Sequence, residues 1–385
     1  MKALRFERKP AKYVAATVAG RLSPGKGASV GPLKLKEIDE PKLPADDWVR
    51  LRPRLAGICG SDLATIDGHS SHYFEPIVSF PFTPGHEVVG NLDDDSRAVL
   101  IPVLSCVTRG IEPICPACEA GRTNHCGRIA FGHLEPGLQS GYCSDTGGGW
   151  STDMVAHPSQ LLAVPDALSD EAAVIVEPTA CAVHAGRVVA AMGPKATVAV
   201  IGAGTLGLLT IAALRSEATV GTLVATAKYP HQKSLATTLG ADRVVAPREL
   251  ARLVRTLTGA WVLDGGQLTD GVDLVVDCVG TEASLAQALQ VVGPGGEVLV
   301  VGMPGHTTLD LTSLWHRETA IRGCYAYTRP DFERALDLVV EADLARLVSA
   351  TYPLARYTEA IEHAAGAGAR GAVKIAFDLR KKDRR

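Results

Sequence analysis

The fold is decided by one stretch in the second half of the chain, Thr197-Val198-Ala199-Val200-Ile201-Gly202-Ala203-Gly204-Thr205-Leu206-Gly207. Its first five residues form a continuous apolar run of the kind buried in a parallel β-sheet. The remaining six have the pattern G-x-G-x-x-G, directly after this strand and at the start of a helix-like segment. The first glycine permits a tight turn, the second lets the backbone approach a pyrophosphate, and the third allows the helix to pack closely on the strand. The stretch therefore predicts a nucleotide site formed by Gly202, Gly204, Thr205, Leu206 and Gly207.

Strand-like and helix-like segments alternate after this stretch. Further apolar strands are predicted at 222–225, 243–245, 272–276 and 297–302, with helices between them. Such alternation is typical of a doubly wound parallel α/β sheet, which we expect from about 180 to 325. Residues 1 to about 180 instead have the pattern of short β segments and turns, with little helical periodicity. Residues 326–385 look mixed, with a helix at about 330–341 and a late strand at 373–376.

The end of the second predicted strand bears on the choice of cofactor. A site for NAD places an acidic residue there to bond the ribose 2′-OH. Here the strand is followed by Ala227-Lys228-Tyr229-Pro230-His231, which offers positive charge and no carboxylate. Lys228 and His231 would attract an additional 2′-phosphate, so the sequence favours NADP over NAD. The alternative is that Lys228 is a solvated surface lysine.

A split signature earlier in the chain predicts a metal centre. Cys59-Gly60-Ser61-Asp62 is followed at a short distance by Gly85-His86-Glu87. Zinc binds thiolate, imidazole and carboxylate groups, and three such ligands with one open position describe a catalytic zinc. Asp62 is placed to orient a ligating histidine through the second ring nitrogen. The alternative interpretation is a small buried cysteine and an unrelated histidine.

A cluster of cysteines predicts a second, structural zinc. Cys115, Cys118 and Cys126 are spaced C-x2-C-x7-C, which suits a closed metal site more than disulfides in a chain of this kind. The fourth ligand is open between two candidates. Thiolate softness favours Cys106, whereas regular spacing favours Glu112, and we lean slightly to Cys106.

Composition limits the class of protein. The 385 residues are 46% hydrophobic and 21% charged, with a net charge of −3, which is ordinary for a globular protein of two domains. We find no secretory signal and no apolar stretch suited to span a membrane. The short basic tail at 380–385 has the character of a solvated end rather than a nucleic-acid arm. We therefore expect a cytoplasmic homodimer or homotetramer without nucleic-acid or membrane partners.

These motifs, taken in order, resemble the zinc-dependent medium-chain dehydrogenases, which include alcohol, sorbitol, threonine and glucose dehydrogenases. The resemblance covers essentially the whole chain, from Ala56-Gly57-Ile58-Cys59 through Pro84-Gly85-His86-Glu87, the cysteine lobe and the glycine-rich stretch to Leu239-Gly240-Ala241-Asp242. It implies a mainly-β GroES-like catalytic domain at 1–180, completed by 326–385. A Rossmann domain at 181–325 would be inserted into it.

The resemblance also implies residue roles. Glu177, in Val176-Glu177-Pro178, matches a position where the family supplies another catalytic zinc ligand, and glutamate there resembles the polyol and sugar branch. Zinc would be held by Cys59, His86 and Glu177, with Glu87 as a further or exchanging ligand. Ser61 would relay the substrate proton, and Asp62 would orient the histidine.

Two positions depart from the family pattern. Glu112 stands where the family usually shows the first cysteine of its lobe. Ala64 replaces a histidine that completes the proton relay in several members. The relay from Ser61 must then end on cofactor ribose, on water or on another group such as His69.

The function implied is reversible hydride transfer between NADP(H) and a secondary alcohol, polyol or sugar and the matching carbonyl compound. One alternative is an NADP-dependent reductase of a conjugated C=C or C=N bond on the same fold. Another is a nucleotide-sensing protein without turnover, against which the open metal position argues, because a sensor does not need one.

Overall fold

The computed structural model describes residues 1–380; residues 381–385 of the basic tail lie outside the described part. The chain divides into two compact units. Unit 1 contains Met1–Glu177 and the residues from Tyr327 onward, and unit 2 contains Pro178–Ala326. No helix among the described residues has the length and apolar character needed to cross a membrane.

Unit 1 opens with short strands and helices. They are β1 (Lys2–Phe6), α1 (Pro10–Leu22), α2 (Gly27–Val30), β2 (Leu33–Glu37), β3 (Val49–Gly57), α3 (Gly60–Ile66), β4 (Val88–Asn91), β5 (Arg97–Leu100), α4 (Pro116–Glu119), β6 (Met154–Ala156), β7 (Leu161–Ala163) and α5 (Asp170–Val174). Helix α1 differs from the sequence expectation of little helix in this region. Apolar and small residues occur on all its sides, so its sequence lacks a clear amphipathic period.

The chain then forms unit 2 and returns to unit 1. Helix α6 (Val176–Ala191) leads into β8 (Lys195–Ile201), α7 (Thr205–Glu217), β9 (Val220–Thr226), α8 (Pro230–Thr238), β10 (Arg243–Val245), α9 (Leu250–Thr258), β11 (Val272–Asp277), α10 (Glu282–Val291), β12 (Val292–Val300), α11 (Thr312–His316) and β13 (Ala320–Gly323). The returning segment forms α12 (Arg329–Glu341), β14 (Val348–Tyr352), α13 (Tyr357–Ala365) and β15 (Lys374–Asp378). Short 3-10 turns lie at His72–Ile77, Thr123–His125, Pro158–Gln160, Pro247–Glu249, Leu344–Leu347, Leu354–Arg356 and Gly368–Arg370.

Unit 2 is built on a six-stranded sheet of parallel strands in the order β10-β9-β8-β11-β12-β13. Counted from β8, this is the order 3-2-1-4-5-6 of a Rossmann sheet. The inner strands are apolar on both faces, and Val198, Ala199 and Val200 are fully buried. The predicted doubly wound parallel sheet is confirmed.

Unit 1 is organised around a mostly antiparallel sheet in the order β14-β15-β3-β4-β5-β7, with β6 also paired to β3. Its core includes Trp150 and Phe377, whose rings meet edge to face at 5.1 Å. Strand β3 lies between β15 and β4 and is antiparallel to both. The end of β3 therefore lies at the same edge of the sheet as the starts of β4 and β15.

Candidate functional site

This edge of the sheet brings together three metal-ligating side chains. Cys59 follows the end of β3, and His86 and Glu87 directly precede β4. Each offers a ligand atom, and these atoms all lie within 4.8 Å of one another. His86 and Glu87 are buried and Cys59 is partly exposed. A thiolate, an imidazole and a carboxylate are thus held in one small group.

Local backbone geometry fixes the cysteine. Cys59 is the N-cap residue of α3, and its backbone N–H donates a 3.0 Å hydrogen bond to Oδ2 of Asp62 in the first turn. On the strand side, a Cβ at Gly57 would lie 1.8 Å from Oε2 of Glu87, so only glycine leaves room for this carboxylate. The conformation of the motif thus follows from its own residues.

Asp62 lies behind the histidine, as the sequence predicts. Its Oδ1 is 3.6 Å from Nδ1 of His86, and both side chains are buried. Burial lowers the pKa of His86, but the charge of Asp62 and contact with Cys59 outweigh it and raise this pKa well above its ordinary value. The charge of the aspartate thus makes the ring more basic.

Lys374, at the start of β15, was missed by the sequence analysis. It is buried and forms an ion pair with Oε2 of Glu87, and its Nζ also donates a 3.1 Å hydrogen bond to the carbonyl oxygen of Ile58. Lys374 is far from Glu87 in the sequence and belongs to no local sequence motif. The pairing becomes visible only when β15 is placed beside β3.

Glu177 lies near this group but outside the set of atoms within 4.8 Å of one another. Tyr327 donates a 2.8 Å hydrogen bond to its Oε1, and both side chains are buried. Burial raises the pKa of Glu177 to about 7, against the lowering effect of His86. Tyr327 is a second residue that the sequence analysis missed.

Several hydroxyl groups lie on and beside α3, and Ser61 is in the first turn of this helix. The hydroxyl of the buried Tyr142 donates to Oδ1 of Asp62 at 3.3 Å. The Tyr142 hydroxyl is 3.4 Å from Oγ1 of Thr65, which is 2.9 Å from Oγ of Ser70. Thr65 directly follows Ala64 in the chain, so hydroxyl groups are present beside this alanine. His69 is exposed, and its backbone N–H donates to the carbonyl oxygen of Ala64.

The donor set fits a bound metal ion. Oε1 of Glu87 and Nδ1 of His86 are buried without a hydrogen-bond partner among the described residues. Leaving a buried carboxylate oxygen unsatisfied is costly, and a cation bound to this oxygen would remove the cost. Sulfur, nitrogen and oxygen ligands together suit zinc.

The cysteine lobe forms a second and closed group. Sγ atoms of Cys106, Cys115, Cys118 and Cys126 lie within 4.8 Å of one another, and all four residues are buried and free of disulfides. Glu112, the rival fourth ligand, is exposed and outside this group. The structure therefore brings Cys106 to the three clustered cysteines.

Distances in this lobe match a tetrahedral zinc site. Four sulfurs bound at about 2.3 Å from one zinc lie about 3.8 Å apart. Here Sγ of Cys126 is 3.6 Å from Sγ of Cys106 and 4.0 Å from Sγ of Cys115. Backbone N–H groups of Cys118 and Gly127 lower the pKa of Cys115 to about 6, which favours its thiolate, whereas burial raises the pKa of Cys118 and Cys126.

In unit 2 the glycine-rich stretch joins β8 to α7 as predicted. Gly202 has a φ of +94°, and Gly204 is the N-cap residue of α7. A Cβ at Gly207 would lie 1.8 Å from the carbonyl oxygen of Gly202, so the helix can pack on the strand only with glycine at this position. Thr205 and Leu206 form the first turn, and the N–H groups at a helix N-terminus are suited to bind phosphate.

Strand β9 ends at Thr226, and Lys228 is exposed two residues beyond. His231, in the first turn of α8, stacks on Tyr229 with ring centroids 6.1 Å apart. The sequence from Val220 to Lys233 contains no carboxylate. Positive charge therefore lies beyond the end of this strand without an acid in the same segment.

Family models match both parts of this architecture. The model of the alcohol dehydrogenase GroES-like domain matches residues 45–166, and that of the zinc-binding dehydrogenase matches residues 205–341. The chain belongs to the zinc-dependent medium-chain dehydrogenase family. It is thus an oxidoreductase from a family of polyol and alcohol dehydrogenases.

Individual members of this family align over most of their length. Sorbitol dehydrogenase of Bacillus subtilis is 27% identical, over 86% of this chain and 90% of the relative. L-idonate 5-dehydrogenase of Vitis vinifera is 28% identical, over 90% of this chain and 92% of the relative. The alcohol dehydrogenase of Aeropyrum pernix shares the fold with a TM-score of 0.74 at 22% identity, covering 98% of this chain and 100% of that one.

Proposed function

We propose that this dehydrogenase transfers a hydride between NADP(H) and a secondary alcohol, polyol or sugar and its carbonyl counterpart, in a zinc-dependent reaction. The observation that carries the proposal is the group of Cys59, His86 and Glu87, with a buried carboxylate oxygen that has no hydrogen-bond partner in the described part of the chain. Two curated relatives act on polyol-type substrates according to their names, which supports this substrate class.

We assign the catalytic ligands to Cys59, His86 and Glu177, with Glu87 as a further or exchanging ligand. Bound zinc would supply a Lewis acid at the substrate oxygen, and bound NADP+ would accept the hydride. This assignment places metal chemistry in residues 1–180, completed by 326–385, and cofactor binding in residues 181–325.

Residues of the chain itself would then transfer the substrate proton and orient the zinc ligands. Ser61 would relay the hydroxyl proton of the substrate toward solvent. Asp62 would hold the imidazole of His86 in orientation. Burial and the charge of Asp62 raise the pKa of Tyr142 well above its ordinary value, so its phenol remains a hydrogen-bond donor.

We further propose a structural zinc held by Cys106, Cys115, Cys118 and Cys126. Four buried thiols without an open position describe a closed site. For the cofactor we propose NADP, held at its phosphates by the first turn of α7 and at its 2′-phosphate by Lys228 and His231.

The test is a panel of polyols, aldoses and secondary alcohols, assayed with both cofactors on zinc-replete protein. We expect turnover with NADP that is lost in Cys59→Ser but kept in Cys143→Ser, a matched change at a buried cysteine outside both metal groups. Full activity of Cys59→Ser would refute the zinc mechanism. Reduction of conjugated C=C or C=N substrates alone, or tight NADP binding without turnover on any substrate, would favour the alternative functions.

A further inference from the structure

A long insert connects β1 and β2, two strands that a short turn could join. Strands β1 and β2 pair antiparallel with Phe6 opposite Leu33, so the hairpin could close with about two to five residues. The chain instead uses residues 7–32, which form α1 and α2. The insert is therefore far longer than the connection between the two strands requires.

The inner side of this insert is firmly anchored to unit 1. Ala16 and Gly20 of α1 are buried, and Oγ1 of Thr17 donates to the carbonyl oxygen of Gly68 at 3.3 Å. After the helix, the carboxylate of Asp67 accepts hydrogen bonds from two backbone N–H groups of the insert, those of Gly25 at 2.7 Å and Gly27 at 2.9 Å. Helix α1 is therefore held in place by its small residues and the segment that follows.

The outer side of α1 presents apolar residues to water. Val14, Val18 and Leu22 are 63%, 57% and 83% exposed. Their spacing of four residues places them in one line along the helix, and Ala11 and Ala15 are also exposed. These side chains do not contribute to the core, so the stripe is free to contact a partner.

Basic residues predominate in the segment that carries the stripe. From Arg8 to Lys36 the sequence contains seven lysines and arginines and no acidic residue. Several of these cations pair with acids outside that segment, as Arg8 does with Glu75, Lys9 and Lys36 with Glu7, and Lys26 with Glu362. Nζ of Lys34 instead donates to the carbonyl oxygen of Ser29 at 3.0 Å. Partial burial, and after it the charge of Lys12, lowers the pKa of Lys34, so these two cations act on each other.

We propose that the outer face of α1 binds an anionic membrane surface, with the helix lying in the plane of the lipid headgroups. An apolar stripe in a segment rich in basic residues has the composition of such interfacial helices. A second copy of the chain fits less well, because two identical basic faces would repel each other. Nucleic acid would leave the apolar stripe without a contact.

An aromatic side chain near one end of the helix suits the same partner. Tyr73 is 76% exposed and lies two residues before Glu75, the ion-pair partner of Arg8. Tyrosine rings are enriched at the level of lipid headgroups. A helix bound in this way lies on the surface of the bilayer. Such binding needs no membrane-spanning helix, and the described residues contain none.

The experiment is sedimentation of the full-length protein with vesicles of phosphatidylcholine alone, or containing about one third phosphatidylglycerol. We expect the protein to sediment with the anionic vesicles at low salt and to be released as the salt concentration rises. It should not bind vesicles of phosphatidylcholine alone. Val18→Asp should weaken binding about tenfold or more, because it places a negative charge in the apolar contact. Lys12→Gln should weaken it less and reduce the salt dependence.

Val340→Asp is the matched control, since Val340 is a helical valine with 62% exposure on α12. It adds the same charge and should bind vesicles like the wild type. The proposal is overturned if the wild type stays in solution with anionic vesicles at low salt, or if Val18→Asp binds as well as Val340→Asp. If the wild type does not bind vesicles and the Val18→Asp variant forms a smaller oligomer than the wild type, the face binds a second copy of the chain instead.

Discussion

The hydroxyl of Tyr327 donates a 2.8 Å hydrogen bond to Oε1 of Glu177, and the two side chains are 1% and 7% exposed. They come from the two separate segments that together form unit 1. Burial raises the pKa of Glu177, and the bond from Tyr327 acts in the opposite direction by stabilising the carboxylate. The phenol thus keeps a proposed zinc ligand both oriented and closer to its charged form.

Tyr327→Phe should therefore weaken zinc binding at the catalytic site. The ring keeps its packing at 5.2 Å from Phe332, so only the hydroxyl is lost. Removing such a supporting hydrogen bond costs about 10–100-fold in metal affinity. Competition with a chelator measures the affinity, and Tyr325→Phe, at a partly exposed ring two residues away, is the control. Equal zinc affinity of both variants would remove Glu177 from the ligand set.

Lys374→Met should destabilise unit 1, because it leaves the buried carboxylate of Glu87 without its cation. Breaking one partner of a buried pair costs about 3–5 kcal/mol. The effect is measured as the shift in urea midpoint of metal-free protein. Adding Glu87→Gln to Lys374→Met should restore much of the loss. If the double variant is as unstable as the single one, the lost packing of the lysine stem is the cause, and not the unpaired charge.

The sequence predicted those parts of the site that carry their own local pattern. The glycines at 202–207 and the Cys59 and His86 motifs have fixed spacing because the chain turns tightly at each of them. The choice between Cys106 and Glu112 required the folded lobe, since spacing and softness pointed in opposite directions. Lys374, Tyr327 and Tyr142 could not be found, because each reaches the site only through pairing or packing of distant segments.

The fold was predictable to a similar extent. Buried apolar strands alternating with helices defined the unit 2 sheet, and its order follows from the parallel pairing. Helix α1 was missed because its buried positions are Ala16 and Gly20, whereas its larger apolar residues face water. A pattern search expects the reverse, with the large apolar residues inside.

Lys228→Glu should reverse the proposed cofactor preference. A carboxylate beyond the end of β9 would repel the 2′-phosphate of NADP and could accept a hydrogen bond from the ribose 2′-OH of NAD. We expect KM for NADP to rise about tenfold or more, with KM for NAD unchanged or lower. Lys233→Glu, five residues further along the chain and within α8, should have a smaller effect. Wild-type turnover that is equal or better with NAD would contradict the role of Lys228.

Cys118→Ser should remove the proposed structural zinc and leave the catalytic one. Metal analysis of purified protein should show a loss of about one zinc per chain, because a closed site needs all four ligands. Thermal stability should fall with it, since metal binding is coupled to folding of the lobe. Cys143→Ser changes another buried cysteine and should keep the full zinc content. Unchanged zinc in Cys118→Ser would mean that the four thiols are a reduced, metal-free cluster.

A buried carboxylate in unit 1 should govern part of the loss of stability in acid. Asp170 accepts hydrogen bonds from Arg54 at 2.9 Å, Arg97 at 3.0 Å and Arg380 at 2.7 Å. Burial raises the pKa of Asp170, but the three guanidinium groups outweigh it and lower the pKa below its ordinary value. Because the folded-state pKa is the lower one, the network stabilises the fold above the unfolded-state pKa of about 3.9 and loses this effect as pH falls through the folded-state value.

Asp170→Asn should accordingly reduce stability at neutral pH by about 2 kcal/mol and make the decline below about pH 4 shallower. Urea unfolding across a pH series measures both effects. Asp93→Asn breaks an exposed ion pair with Arg52 and should leave the pH profile unchanged. If Asp170→Asn loses stability equally at every pH, the network acts through packing, and the titration of this carboxylate contributes nothing to acid unfolding.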